Sequence, residues 1–230
     1  MDDNLEKKFY TELVSESYKT NDVDKISKKI KDTLNIEVSP NEVYRILNED
    51  YELEQRKMEY IDIEKITLND IDQLQKIGRQ TFSETFSESN TEENMKSYLD
   101  DGFSTDKLKT ELNDKNAEFY FAKINEKVIG YLKLNFGQSQ TELKDDKALE
   151  IERIYVLKEF HGKKVGQILY DKAIEIAKQK NADYVWLGVW EKNPRAINFY
   201  KKNGFVEFDK HIFKLGNDEQ TDILMKLMLK

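Results

Sequence analysis

Two short stretches of this chain hold the residue types that chemistry needs. The first, ALEIERIYVLKEFHGKKVGQILYDKAIEIAKQK, reads as a strand ending at Val156, a short loop Leu157–Lys164, and an amphipathic helix. Backbone N–H groups at a helix N-terminus are free to bind anions, and the dipole favours negative charge there. Gly162 and Gly166 let the backbone approach a phosphate closely. Lys158, His161, Lys163 and Lys164 add positive charge on an otherwise acidic chain. Together they can cradle a pyrophosphate. The competing reading is a tight strand–helix turn with a solvated lysine cluster. Neither GxxxxGK[ST] nor GxGxxG is present, which excludes a Walker loop and a dinucleotide fingerprint.

The second stretch is NPRAINFYKKNGF. Asn193 is a good N-cap and Pro194 suits the first helical position. Tyrosine near the end of an amphipathic helix is ordinarily core filler. The alternative is that the Tyr200 hydroxyl acts as a general acid, supplying a proton to a departing thiolate. A third set of candidates lies on the strand before the loop. Glu150 and Glu152 stand at i and i+2, and strand alternation predicts them on one face with Ile154 and Val156. Either carboxylate could deprotonate an amine, directly or through water. The plainer reading has them solvent-facing or paired with Arg153 and neighbouring lysines.

These residues need elements to position them. Residues 1–58 read as all-helical, with Leu5, Phe9 and Leu13, then Val23, Ile26, Ile30 and Leu34, at helical spacing. Ser39-Pro40 opens a further short helix, and the polar stretch 48–59 is a helix or a linker. From about residue 60 the pattern changes. A short strand over 60–66 precedes a helix capped by Asn69 or Asp70, and further helices cover 92–99 and 105–112. Strands 118–124 and 128–136 flank a tight connection at Asn125-Glu126-Lys127. Strands follow at 148–156, 184–190, 205–213 and 223–229, with helices at 165–178 and 193–202 between them. Asn203-Gly204 ends the last helix as a left-handed cap. This is an α/β or α+β chain, preceded by a small all-α segment.

Composition narrows the function. The chain has 230 residues, 37 Lys+Arg and 45 Asp+Glu, and a formal net charge of −8. That balance disfavours non-specific nucleic-acid binding and suits a cationic substrate. There is no cysteine, which excludes disulfides, thiolate metal sites and a cysteine nucleophile. Two histidines, His161 and His211, argue against a multi-histidine metal centre, so no metal is expected. The opening MDDNLEKKFY lacks a signal peptide's basic and apolar regions, and no apolar run approaches the roughly 18 residues of a membrane span. No membrane partner is expected, and the chain reads as cytoplasmic.

Both chemistry-bearing stretches, in this order and separated by a strand, resemble the GNAT superfamily of acetyl-CoA-dependent N-acetyltransferases. The family's pyrophosphate loop follows [Q/R]-x-x-G-x-[G/A]. Here the window is His161-Gly162-Lys163-Lys164-Val165-Gly166, which keeps the final glycine but places His161 and Lys164 at the first and fourth positions. The later pattern N-x-x-A-x-x-F-Y-x-x-x-G-F is matched completely by Asn193, Ala196, Phe199, Tyr200, Gly204 and Phe205. The resemblance covers roughly residues 60–230. With LEIERIYV, WLGVWEKN, DEQTDILM and the upstream TFSETF, it is most like the PaiA-type spermidine/spermine N-acetyltransferases. It implies a GNAT domain over 59–230 with a twisted mixed sheet of about seven strands, splayed so that a pantetheine arm lies between two of them.

The resemblance also implies roles. Ile154, Tyr155 and Val156 would bond the pantetheine amides through their backbone, with Val156 N–H polarising the thioester carbonyl. His161 to Gln167 (His161, Gly162, Lys163, Lys164, Val165, Gly166, Gln167) would hold the pyrophosphate. Asn193 would lie beside the pantetheine and Lys202 near a phosphate. Tyr200 would protonate the departing CoA thiolate, and Glu150 or Glu152 would serve as base. Without cysteine, direct attack by the amine is the simplest route. A polyamine acceptor calls for carboxylates and aromatic faces, with candidates Glu84, Glu150, Glu152, Trp190, Glu191 and His211. The competing readings are another amine acceptor (a protein N-terminus, an aminoglycoside, an amino acid) or a non-catalytic CoA-binding protein. Residues 24–47 resemble a helix-turn-helix in outline, yet residues 1–60 hold 10 Lys+Arg against 15 Asp+Glu, a net −5. A DNA reader normally presents a basic face. The segment therefore reads as an accessory that packs on the catalytic domain or mediates self-association, as in a homodimer.

Overall fold

A computed structural model describes residues 3–49, 61–124, 126–215 and 218–230. The chain divides into two compact units, Met1–Asp62 with Lys123–Lys127, and Ile63–Ala122 with Val128–Lys230. In the first unit, α1 (Asp3–Lys19), α2 (Val23–Leu34) and α3 (Pro40–Glu49) form the expected helical segment. Asp22 caps α2 by accepting from Lys25 N–H at 3.2 Å. Asn35, at φ 55°, ends it in the left-handed conformation. Ser39 and Glu42 form a reciprocal box at the start of α3, with Ser39 N–H donating to Glu42 at 2.9 Å and Glu42 N–H to Ser39 Oγ at 3.2 Å. Of the polar stretch 48–59, Asn48 and Glu49 end α3 and the remainder lies outside the described residues, as do Tyr60 and Asn125.

Seven strands among the described residues form one sheet, all but the ends of its first three strands belonging to the second unit. They are β1 (Asp62–Lys65), β2 (Ala117–Ile124), β3 (Lys127–Phe136), β4 (Ala148–Val156), β5 (Tyr184–Trp190), β6 (Val206–Leu215) and β7 (Asp218–Met228). Their spatial order is β1-β2-β3-β4-β5-β7-β6. Pairing is antiparallel at β3–β4, β5–β7 and β6–β7, and parallel at β4–β5. Several expected boundaries move by one to five residues, β7 most. β7 begins at Asp218 rather than Ile223, because the polar run DEQTD pairs across β6 in register. The helix expected to be capped by Asn69 or Asp70 is preceded by one tight turn capped by Thr67, whose own N–H is bonded by Asp70 Oδ2 at 2.9 Å.

Helices cover both faces. One set comprises α4 (Ile71–Phe86), α5 (Glu92–Gly102) and α6 (Thr105–Asn113). The other comprises α7 (Val165–Gln179) and α8 (Pro194–Lys202). The inward positions of α7, among them Leu169, Ala173, Ile176 and Ala177, are buried as its periodicity predicts. Tyr170 of α7 meets Phe199 of α8 edge-on, with ring centroids 5.8 Å apart.

Strand β4 is irregular in two places. Lys133 pairs with Arg153 and Leu134 with Ile151, so Glu152 has no partner on β3 and is the extra residue of a bulge. The bulge breaks the alternation that was expected to place Ile154 and Val156 with Glu150 and Glu152. Glu150 and Glu152 share a face with Arg153 and Tyr155 instead, and Ile154 and Val156 turn to the α7 side. The second irregularity is the early end of the β4–β5 ladder. Only Ala148, Leu149 and Glu150 pair with Tyr184, Val185 and Trp186, although both strands continue. Beyond Glu150 the sheet is open between them.

β3 follows β4 closely up to this opening. Gly130 lies opposite Val156, and a Cβ there would meet the Tyr155 carbonyl oxygen at 2.7 Å. Because the obstruction is backbone, one methyl must push the strands apart. Gly130→Ala is expected to lower stability by about 1–3 kcal/mol, measured by chemical denaturation.

Candidate active site

The gap between β4 and β5 opens into a cavity of about 660 Å³. Its walls come from both faces of the sheet. Glu84 and Thr85 near the end of α4 lie on one side, the start of α7 and the residues Asn193 and Tyr200 on the other, and Ile154, Val156 and Trp190 between them. Strand geometry makes the β4 wall polar. Leu157 N–H donates to Ile129 O at 2.9 Å. Hydrogen-bonded pairs alternate along an antiparallel ladder, so the backbone groups of Ile154 and Val156 point away from β3, toward a β5 that no longer pairs with them. A strand edge with unpaired amides is thus presented to a cavity.

The loop after β4 completes the cradle. Val165 and Gly166 N–H groups donate to no protein acceptor among the described residues. No atom lies within 4 Å of where a Cβ on Gly162 or Gly166 would stand, so the space above these glycines is open. Lys164, where the loop pattern calls for glycine, sits at φ 60° and keeps the left-handed geometry at a cost of about 1–2 kcal/mol. Lys158, Lys164, Lys192 and Arg195 bring cations to the cavity. His161 Nε2 donates to the Val156 carbonyl at 2.8 Å, and Arg195 donates to its Nδ1. A ring that donates on one nitrogen and accepts on the other is neutral. Burial, with help from Arg195, pushes its pKa down accordingly.

Tyr200 lies at the far wall, 6% exposed, packed on Phe199 and Phe205 and lining the cavity. Among the described residues its hydroxyl has no hydrogen-bond partner. Burial pushes its pKa up, so the phenol holds its proton at neutral pH. Asn193 Oδ1 caps α8 by accepting from Ala196 N–H at 3.0 Å, while the residue also lines the cavity. The backbone N–H of Phe205 returns to Tyr200 O at 3.0 Å, and Gly204 takes φ 87° as the expected left-handed cap.

The two β4 carboxylates have different surroundings. Asn135 Nδ2 donates to Glu150 at 2.9 Å and to Glu152 at 2.6 Å. Glu150 also accepts from Thr141 N–H at 2.8 Å and from its hydroxyl. Burial pushes Glu150 up, against those hydrogen bonds. Glu152 pairs with Lys133 at 2.6 Å and Arg153 at 3.2 Å, and Glu111 completes the cluster, 3.0 Å from Lys133 and 3.4 Å from Arg153. Burial alone would raise Glu152, but Arg153 and then Lys133 outweigh it and hold the carboxyl at about 2. A group held so low is a poor proton acceptor and a firm structural anion.

Other residues singled out from the sequence fall in different places. Glu84 lies on the cofactor-sized cavity, where it accepts the Lys158 backbone N–H at 2.7 Å, rather than on the face of Glu150. Trp190 lines the cavity and packs on Phe86 at 5.5 Å. Glu191 and Lys202 are exposed and lie away from the cavity lining. Lys163 is drawn over the Phe160 ring, 5.4 Å from its centroid. His211 is on β6, 3.2 Å from Glu142. Sequence reasoning passed over Arg195 and Asp222. Arg195 stood in plain view inside the NPRA segment. Asp222 lay one residue before the expected start of β7. No group of three or more His, Cys, Asp or Glu side chains among the described residues could hold a metal ion.

Comparison with known proteins places this geometry in context. Residues 72–205 match the model of the acetyltransferase (GNAT) family. An uncharacterized N-acetyltransferase from the pepI 3′ region of Lactobacillus delbrueckii subsp. lactis is 39% identical over 169 residues, covering 74% of this chain and 98% of that protein. A spermidine N(1)-acetyltransferase of Thermoplasma acidophilum is 28% identical over 170 residues, covering 72% and 96%. The crystal structure of the PaiA N-acetyltransferase from Thermoplasma acidophilum, in complex with coenzyme A, superposes with a TM-score of 0.62 at 26% identity, covering 73% of this chain and 98% of that one.

The buried cluster gives a signed expectation. The Glu152 carboxyl is depressed from its ordinary 4.5 to about 2, so its stabilisation is present above pH 4.5 and is lost as pH falls toward 2. Glu152→Gln removes one partner of a buried pair. It is expected to cost about 3–5 kcal/mol at neutral pH and to flatten the acid limb of the stability curve, measured by urea denaturation across pH.

Proposed function

This chain belongs to the acetyltransferase (GNAT) family, and on that premise we propose that it transfers an acetyl group from acetyl-CoA directly to a primary amine of a polyamine such as spermidine or spermine. The observation that carries the reading is the open seam between β4 and β5. There the unpaired amides of Ile154 and Val156, the N-terminus of α7 and the unpartnered hydroxyl of Tyr200 all meet one cavity.

In this reading Ile154 and Val156 bond the pantetheine arm as an added strand would, and Val156 N–H polarises the thioester carbonyl. Tyr155, whose side chain turns away to stack on Tyr131 at 5.9 Å, contributes through its place in β4. Val165 and Gly166 offer helix N–H groups to the pyrophosphate, with Gly162, Lys164 and Arg195 beside them and Lys158 and Lys192 at the rim, while Gln167 N–H is taken by Lys164 O at 2.9 Å and Gln167 lines the cavity through its place in the first turn. Lys163 and Lys202 add charge from farther out. Neutral His161 positions Arg195 and holds the Val156 carbonyl. Asn193 fixes the start of α8, which sets Tyr200 where it can protonate the departing thiolate. Once the amine nitrogen has bonded the acetyl carbon, the carbon–sulfur bond breaks and the departing sulfur takes that proton.

The amine must lose a proton before it attacks. Glu150 is the better base of the two strand carboxylates, since burial raises its proton affinity, and its closed hydrogen-bond shell suits relay through water. Glu152 anchors the bulge. The polyamine acceptor is supported by the acidic balance of the chain, by the carboxylates of the Glu150 face, and by similarity to a spermidine N(1)-acetyltransferase. No helix among the described residues is long and apolar enough to cross a membrane, and the reaction is read as cytoplasmic. The helical unit at the N-terminus is read as an accessory to this domain.

Two measurements test the reading. CoA release can be followed with a thiol reagent without background, because the chain has no cysteine. A panel of amines is expected to give the highest kcat/KM with spermidine or spermine; a better monoamine, amino acid or peptide N-terminus would replace the acceptor. Tyr200→Phe is expected to lower kcat about 10²- to 10⁴-fold, the usual range for a lost general acid, with little change in the KM for acetyl-CoA. An unchanged kcat would assign Tyr200 to core packing.

A further inference from the structure

The face of the sheet that carries Glu150 continues past the seam, and one carboxylate on it stands apart. Directly paired residues of antiparallel strands point to the same side. Trp190 pairs with Asp222, Asp222 with His211, and Gly188 with Leu224, while Glu150 pairs with Trp186. Trp186, Gly188, Trp190, Asp222 and His211 therefore share the face of Glu150. Gly188 is exposed, so between two tryptophans β5 has a notch with no side chain. Asp222 Oδ2 lies 3.5 Å and Leu224 Cδ2 3.6 Å from where a Cβ on Gly188 would stand, so the carboxylate and a leucine methyl border that notch.

Asp222 is half-buried, yet among the described residues no hydrogen bond or ion pair reaches its carboxylate. The other acids on this face are engaged. Glu152 holds Lys133 and Arg153, Glu150 holds Asn135 and Thr141, and Glu142 holds His211. Burial pushes Asp222 up to about 6, with His211 opposing, so it is ionised at neutral pH without a counter-charge bonded to it. A half-buried anion at the end of an open notch is a seat for a cation.

We propose that Asp222 binds a second ammonium group of the acceptor, beyond the amine that reacts, and so makes the enzyme selective for amines carrying at least two positive charges. The distances suit this. The reacting amine must lie at the seam, and β5 is the one strand between the seam and β7. Strands lie about 4.8 Å apart, so crossing one of them is within reach of the three- or four-carbon spacer between polyamine nitrogens. The crossing runs over Gly188 and beside the Trp190 indole, whose face favours a passing cation. A monoamine would reach the seam and leave Asp222 unused.

The inference rests on acetyl transfer to a polyamine, and the test separates the two. Steady-state kinetics at saturating acetyl-CoA would compare spermidine and 1,4-diaminobutane with butylamine, for the full chain and for Asp222→Asn. The expected result is a KM for spermidine raised at least tenfold in the variant, and a preference in kcat/KM for di- and polyamines over butylamine that falls by the same factor. A wild-type enzyme that prefers butylamine overturns the polyamine reading itself. A wild-type preference that Asp222→Asn retains overturns the role of Asp222 alone. Asparagine is isosteric and removes an unpaired buried charge, so the variant is expected to fold, with unchanged acetyl-CoA binding by calorimetry as the check. Gly188→Leu, which covers the notch without touching the carboxylate's charge, is expected to reproduce the loss. Retention of the preference in that variant would also count against the seat.

Discussion

The bulge at Glu152 places two sequence neighbours, Glu152 and Arg153, side by side, where a regular strand would send them to opposite faces. Their ion pair, closed by Lys133 and Glu111 and bridged to Glu150 through Asn135, is almost entirely buried. Such a cluster gains little net stability by forming, because desolvation offsets its attraction, but breaking it costs a great deal, because any one charge left behind has no solvent to fall back on. It makes the bulge the geometry that β4 must keep. A bulged strand bends and twists more strongly than its neighbours. The β4–β5 ladder ends at Glu150, two residues before the bulge, and the two strands diverge from there. The seam, and with it every polar group turned toward the cavity, opens two residues from this charge cluster.

The same bend divides the charge of the molecule. On the α7 side, the free N–H groups of a helix terminus, Lys158, Lys164, Lys192 and Arg195 make a positive cradle. On the other side of the sheet, Glu150, Glu142 and Asp222 leave a negative face. On the proposed reading, an anionic acyl donor and a cationic acceptor would approach from opposite sides of one sheet and meet where the sheet is open. The overall charge of −8 conceals this division. With no cysteine to carry an acyl group, a meeting at the seam is also what direct transfer needs.

How much of this was legible in the sequence depends on the range of the interaction. Local signals carried well. The Asn193-Pro194 start of α8, the Gly204 cap and the amphipathic α7 all rest on contacts within a few residues, and each appears where spacing placed it. The bulge did not carry, because it is set by Lys133 and Glu111, residues from another strand and from a helix. Strand alternation, applied without it, sent Ile154 and Val156 to the wrong face. The partner of Glu84 was likewise out of reach of local reasoning, being a backbone N–H 74 residues away, at Lys158. Asp222 was missed because a polar run ordinarily marks a loop, whereas DEQTD is held in the ladder by β6.

Several unpaired polar groups of the catalytic unit follow one line; the buried Tyr131 hydroxyl, also unpaired among the described residues, stands on β3 apart from them. The amides of Ile154 and Val156, the N–H groups of Val165 and Gly166, the hydroxyl of Tyr200 and the carboxylate of Asp222 trace a path from the α7 terminus through the seam to β7. Folded proteins pair almost all of their buried polar groups, since each one left open costs a sizeable part of a small net stability. Such a path persists only where water or a ligand supplies the missing partners. A ligand that follows it must offer anionic oxygens at one end, amide groups along the strand, a group that takes a proton near Tyr200, and a positive charge at the other end. On the proposed reading, acetyl-CoA supplies the first three and a polyamine the last.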